Sequence, residues 1–198
     1  MKKTILLAVC LLFTFYLVQG QQLSLSGQVG YAIGETKNWK KFMLLTGGSA
    51  GIEWELNRMK ALKIGIGTGM LSFSSKNDTG VSVFTKKSML VLPVSIIKKY
   101  TITRTTIAYM EFGINNSLYF REKRETFSPS GKITEKLNST IFNVGGLVGV
   151  GLLTPISSRW NFGVAIGGHF DVFSFYKKAG EKFKSSSNII NTSFSRKL

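Results

Sequence analysis

His169 and Asp171 stand two apart in the run Gly167-Gly168-His169-Phe170-Asp171-Val172. If that run is extended, both side chains fall on one side of it, and an imidazole beside a carboxylate can act as an acid–base pair. A hydrolase would also need a nucleophile in reach, and the residue two after His169 is an aspartate, not a serine. The spacing therefore predicts an interior hydrogen-bonded network. Glu53, Glu55 and Glu111 are the other groups that could exchange protons, and in a filled interior they are expected as partners for Lys63 and other bases. Counting excludes most remaining chemistry. With one His and one Cys in 198 residues, no Cys/His zinc site, CxxC centre or disulfide framework can be built, so no metal and no cofactor is expected. The glycines form neither a Gly-x-Gly-x-x-Gly nor a Walker pattern.

The elements that must hold these side chains show in a period of two. Leu23, Leu25, Val29, Tyr31 and Ile33 alternate with Ser24, Ser26, Gln28, Gly30 and Ala32. Seven further runs follow the same rule: Phe42 to Leu56, Leu62 to Met70, Met89 to Tyr100, Ala108 to Phe120, Phe142 to Leu152, Trp160 to Val172, and Ile190 to Leu198. The fourth contains Pro93, which lacks the N–H that a central strand donates. Connections alternate as well. Glu35 to Lys41, Ser75 to Lys87, Arg121 to Leu137 and Tyr176 to Ser187 are long and polar, whereas Asn57 to Lys60, Lys98 to Thr101 and Thr154 to Arg159 are short.

An even number of strands with long loops at one end and tight turns at the other predicts an all-β fold, an eight-stranded antiparallel up-and-down transmembrane β-barrel of outer-membrane type. A soluble barrel is apolar inside, but here the second parity holds Gly, Ser, Asn, Gln, Glu and Asp, too small or too polar to fill an apolar core. The apolar parity must face an apolar surrounding. Gly65, Gly67, Gly69, Gly145, Gly149, Gly151, Gly163 and Gly167 are then expected to make room for larger interior neighbours. Trp54, Trp160 and Tyr100 near the short turns, and Tyr119, Phe120, Phe173, Phe175 and Tyr176 near the long loops, are expected as two interfacial girdles.

Residues 1–20 read as a cleaved signal peptide, with Lys2 and Lys3 before the apolar stretch Ile5 to Val18; residues 21–198 form one barrel domain. Of the net charge of +16, much lies in the four long connections. Lys40, Lys41, Lys86, Lys87, Lys177 and Lys178 are expected to face the phosphates of lipopolysaccharide. No basic strand carries interleaved stacking aromatics, so nucleic acid is not expected as a partner.

The segment Leu90-Val91-Leu92-Pro93-Val94-Ser95-Ile96-Ile97-Lys98-Lys99-Tyr100, followed by Glu111-Phe112-Gly113 and Phe142-Asn143-Val144-Gly145-Gly146, resembles the outer-membrane β-barrel domain proteins of Bacteroidota, the group that includes PorT-like proteins. The resemblance implies an eight-stranded barrel with both termini in the periplasm, accommodates Pro93, and implies no catalytic residues. The function expected is a structural, binding or scaffolding role at the cell surface, with outer-membrane lipids and other envelope or secretion proteins as partners. A PorT-like role in secretion across the outer membrane is the first alternative. A lipid-A-active barrel enzyme is the second, although it would want His-x-Ser and a separate Glu.

Overall fold

A computed structural model describes residues 21–35, 40–76, 81–128, 131–137, 140–176 and 184–198. The expected leader, Lys177 and Lys178 lie outside the described residues, as do the side chains of Lys40, Lys41 and Tyr176. The strands are β1 (Gln21–Glu35), β2 (Lys40–Asn57), β3 (Lys60–Lys76), β4 (Ser82–Thr101), β5 (Ile107–Ser128), β6 (Gly131–Leu137), β7 (Ile141–Pro155), β8 (Trp160–Tyr176) and β9 (Lys184–Lys197). Each strand pairs antiparallel with its neighbours, and a β4–β5 pairing closes the ring β1-β2-β3-β4-β5-β7-β8-β9. The chain therefore folds as an eight-stranded antiparallel barrel.

Register fixes its shape. From Glu53 on β2, successive opposite residues are Lys63, Ser95, Gly113, Leu147, His169, Ser187, Ala32 and finally Met43, back on β2 ten residues from the start. With ~3.3 Å per residue and ~4.7 Å between strands, that stagger tilts the strands by roughly 40° and makes each residue climb about 2.5 Å along the axis.

Three findings depart from the expected layout. First, the ninth strand β6 lies in what was expected to be a connection: β5 runs on to Ser128 and pairs with it, from Glu122 opposite Leu137 to Ser128 opposite Gly131. Arg121 to Glu125 are five charged residues in succession, and on β6 the face that carries Ile133 and Leu137 also carries Glu135, so hydrophobic periodicity is weak there. Gly131, at φ 133°, opens β6 in a conformation that side-chain-bearing residues rarely adopt. Second, β4 extends through Lys98 to Thr101, and the turn is 102–106, closed by Ile102 N–H and Thr103 N–H donating to Thr106 O at 3.0 and 3.2 Å. Third, the lumen is not wholly polar. Met43, Leu45, Leu71, Met89, Tyr119 and Ile189 belong to a buried cluster toward the long-loop end, and Ala61, Ile97, Tyr109 and Ala165 to another at the turn end. These residues share the inward parity with the polar ones, in runs whose outward parity is apolar too.

Pro93 is tolerated because of what faces it. A Cβ on Gly65 would lie 3.2 Å from the Pro93 ring, and the β3–β4 ladder is interrupted there, between the pairs Ile64–Val94 and Gly67–Val91. On the opposite edge Pro93 still pairs with Asn115.

Candidate functional site

The inward side chains build the lumen in layers. At the turn end, Lys99 forms an ion pair with Glu53 and stands 3.6 Å from Glu55, which accepts a 3.0 Å hydrogen bond from Gln22 Nε2. They close the inner side of a bowl of about 330 Å³ at the barrel mouth, lined also by Arg58, Asn161 and Lys197. Further in, Lys63 Nζ meets Glu111 Oε1 at 3.3 Å, and Ser95 Oγ donates to the same oxygen at 2.6 Å. Above this pair lies a cavity of about 50 Å³, lined by Gln28, Asn115, His169 and Asn191 among others.

His169 is buried, and its Nδ1 shares a 3.0 Å hydrogen bond with Ser187 Oγ, the donor depending on the tautomer. Asp171 is engaged elsewhere. Its Oδ2 accepts from Asn143 Nδ2 at 2.7 Å, from Ser185 N–H at 2.8 Å and from Ser185 Oγ at 3.0 Å, while Tyr119 Oη lies 2.8 Å from Ser185 Oγ. His169 and Asp171 thus share a side of β8 but no hydrogen bond.

All six side chains expected to point inward face the lumen, Glu55 at its exposed mouth, but they do not form one network. Lys63 joins Glu111, Glu53 and Glu55 join Lys99, and His169 and Asp171 keep separate partners. The residues missed were Lys99, Ser95, Asn143, Ser185, Ser187 and Tyr119. Lys99 is legible in principle, since the run Met89 to Tyr100 includes it and the inward parity of Pro93, Ser95 and Ile97 continues to it, although the connection expected at Lys98 to Thr101 covers the same residue.

Outside, Leu23, Val29, Ile64, Ile66, Phe112, Ile114, Val150, Ile166 and Ile190 are exposed all round the barrel. At the turn end this band is bordered by Trp160 and Tyr100, each beneath a cation: Arg196 5.6 Å from the Trp160 ring and Lys98 5.1 Å from the Tyr100 ring. At the other end stand Phe120, Phe142, Phe173 and Phe175. Along β8, from Trp160 to Phe173, the separation is about 30 Å, the thickness of a bilayer's hydrocarbon core. Tyr119 does not belong to this girdle as expected. Its parity is inward, and it is 2% exposed.

Lys87 likewise corrects the expectation of a lipopolysaccharide-facing loop lysine. It lies within β4, points inward and is 7% exposed, with Nζ 3.3 Å from Glu122 Oε2. Lys86, one residue away, takes the opposite face and lies 5.2 Å from the Phe84 ring. Beside it on β5 and β6, Glu125 Oε1 is shared by Lys123 at 2.6 Å and Lys132 at 3.1 Å. These hydrogen bonds, that from Lys123 foremost, hold the Glu125 carboxyl below the usual carboxylate range.

No family model matches the chain, and no curated protein sequence does. Solved structures do resemble it. Neisserial surface protein A is 12% identical with a TM-score of 0.53, over 91% of this chain and 100% of that one. The outer-membrane protease OmpT of Escherichia coli is 11% identical with a TM-score of 0.49, over 90% and 96%. Ail, the attachment invasion locus protein of Yersinia pestis, crystallised with the heparin analogue sucrose octasulfate, is 10% identical with a TM-score of 0.45, over 89% and 99%. The match to the whole of the neisserial protein agrees with the ring of strands in the register: the chain has the fold of outer-membrane β-barrels.

Proposed function

We propose that the protein is an integral outer-membrane barrel with a binding or scaffolding role at the cell surface, its termini in the periplasm, and that it is not a catalyst. The observation that carries this is the inverted polarity of the wall. Isoleucines, valines, leucines and phenylalanines are exposed around the full circumference, between two aromatic margins about 30 Å apart, while Lys, Glu, His and Asp are inside. In water such a surface would aggregate; in a bilayer it is the stable arrangement. The non-catalytic part is supported by His169 and Ser187, which are both buried and hydrogen-bonded to each other, with Asp171 turned to different partners. The cations above the Phe120 girdle favour the phosphates of lipopolysaccharide as the nearest partner.

The test is expression of the full chain with its leader, followed by membrane fractionation and electrophoresis with and without boiling. A detergent-extracted outer-membrane band with heat-modifiable mobility is expected, and a protease-sensitive tag after Gly131 should be cut on intact cells while one after Arg58 is not. Recovery as a soluble periplasmic monomer contradicts the proposal, and reversed tag cleavage contradicts the orientation.

A further inference from the structure

Above the Phe120 girdle the wall continues as a sheet of β3, β4, β5 and β6, and its two faces carry charge differently. On the inward face, Lys87 and Arg124 flank Glu122, with Arg124 Nη2 3.1 Å from Glu122 Oε1 and Glu135 opposite Arg124. On the outward face, Lys86 lies opposite Lys123, and Lys123 lies opposite Lys136. Three lysines thus occupy one row across three adjacent strands, and Ser72 of β3 continues the row beside Lys86.

Opposite residues of an antiparallel pair have Cβ atoms ~4.5–5.5 Å apart, and like charges so placed repel. The nearby carboxylate is Glu125, bound to Lys123 and Lys132; Lys86 and Lys136 form no ion pair among the described residues. Lysine on an exposed edge strand deters aggregation, which would account for Lys132 and Lys136 on β6. It does not account for Lys86 and Lys123, which are on interior strands of the sheet.

We propose that Lys86, Lys123 and Lys136 bind a phosphate monoester carried by a glycolipid of the surrounding leaflet, with the Ser72 hydroxyl as an added donor. Three ammonium groups within reach of one point suit a compact dianion, and binding removes the repulsion that the empty row carries. The source is membrane-borne because of depth and direction. Lys123 stands three residues, about 7 Å, above Phe120, which is the headgroup layer, and the row faces outward over the apolar band.

The inference rests on the outer-membrane placement, and the test separates the two. Full-length barrel reconstituted in phosphatidylcholine nanodiscs is titrated with lipid A, either phosphorylated or enzymatically dephosphorylated. The proteins compared are wild type, Lys86→Gln/Lys123→Gln/Lys136→Gln, and Lys60→Gln/Arg104→Gln/Arg159→Gln, which removes the same charge from exposed positions on the rim of the turn end. Heat-modifiable mobility reports insertion of each, so a protein that fails to insert counts against the placement and not against the row. Wild type and the rim control are expected to bind phosphorylated lipid A at least about tenfold more tightly than the row variant does, and dephosphorylated lipid A should bind all three weakly. Equal loss in the two variants would reduce the effect to net charge and overturn the site. Inorganic phosphate that displaces lipid A at equal concentration would overturn the lipid as its source.

Discussion

Lys63 and Glu111 show what the lumen requires of single residues. Each lies on an inward parity, and each would be an isolated charge in low dielectric without the other. Lys63→Met leaves Glu111 with Ser95 as its remaining donor, and should destabilise the barrel by about 3 kcal/mol in urea unfolding from lipid vesicles. The double variant Lys63→Met/Glu111→Leu should recover much of that loss, because it removes the buried charge altogether. A Lys63→Met variant as stable as wild type would show that the pair is solvated and not part of the fold's support. At this scale the sequence was legible where parity was carried through a strand, as at Glu53, Lys63, Glu111, His169 and Asp171. It is ambiguous at Lys87 and Lys99, which stand where apolar alternation gives way to polar residues at the ends of the fourth run. Which carboxylate each base would meet was not legible at all, since that depends on a stagger between strands that no single strand encodes.

Between elements, β3 and β4 pack by a division of volume. Midway along β3 the inward positions are Gly65, Gly67 and Gly69, and facing them on β4 are Pro93, Val91 and Met89. A Cβ at Gly67 would lie 2.9 Å from Val91 Cγ2 and 2.7 Å from Ser49 Cβ, so Gly67→Ala must push the wall outward or force a rotamer. We predict a loss of about 1–3 kcal/mol in the same unfolding assay. Gly27 faces out, where an added Cβ would meet Thr192 Oγ1 at an ordinary 3.8 Å, so Gly27→Ala should be neutral or stabilising. Equal effects at the two positions would mean the glycines are not making room inside. The eight strands of the ring were legible because lipid demands apolar residues at outward positions, which recur at every second residue. The upper parts of β3, β4 and β5, and all of β6, were not. Their apolar residues, such as Phe84, Phe127 and Ile133, stand singly among charged and hydroxyl side chains on the same face, so hydropathy does not distinguish a paired strand from a loop.

For the whole molecule, one relation decides the rest: the apolar outward face of every ring strand meets lipid, and the other face meets the lumen. Cys10 is the chain's one cysteine and lies within the expected leader, so a nitroxide can be placed singly at each position of β5 from Ala108 to Phe120 without background labelling. In reconstituted vesicles, collision with dissolved oxygen reports lipid contact, and collision with a water-soluble nickel chelate reports water. High oxygen accessibility is expected at Ala108, Met110, Phe112, Ile114, Asn116, Leu118 and Phe120, and low accessibility to both agents at Tyr109, Glu111, Gly113, Asn115, Ser117 and Tyr119. Nickel contact within the band, from Met110 to Leu118 of the first set, or no period of two along the strand, would contradict this arrangement.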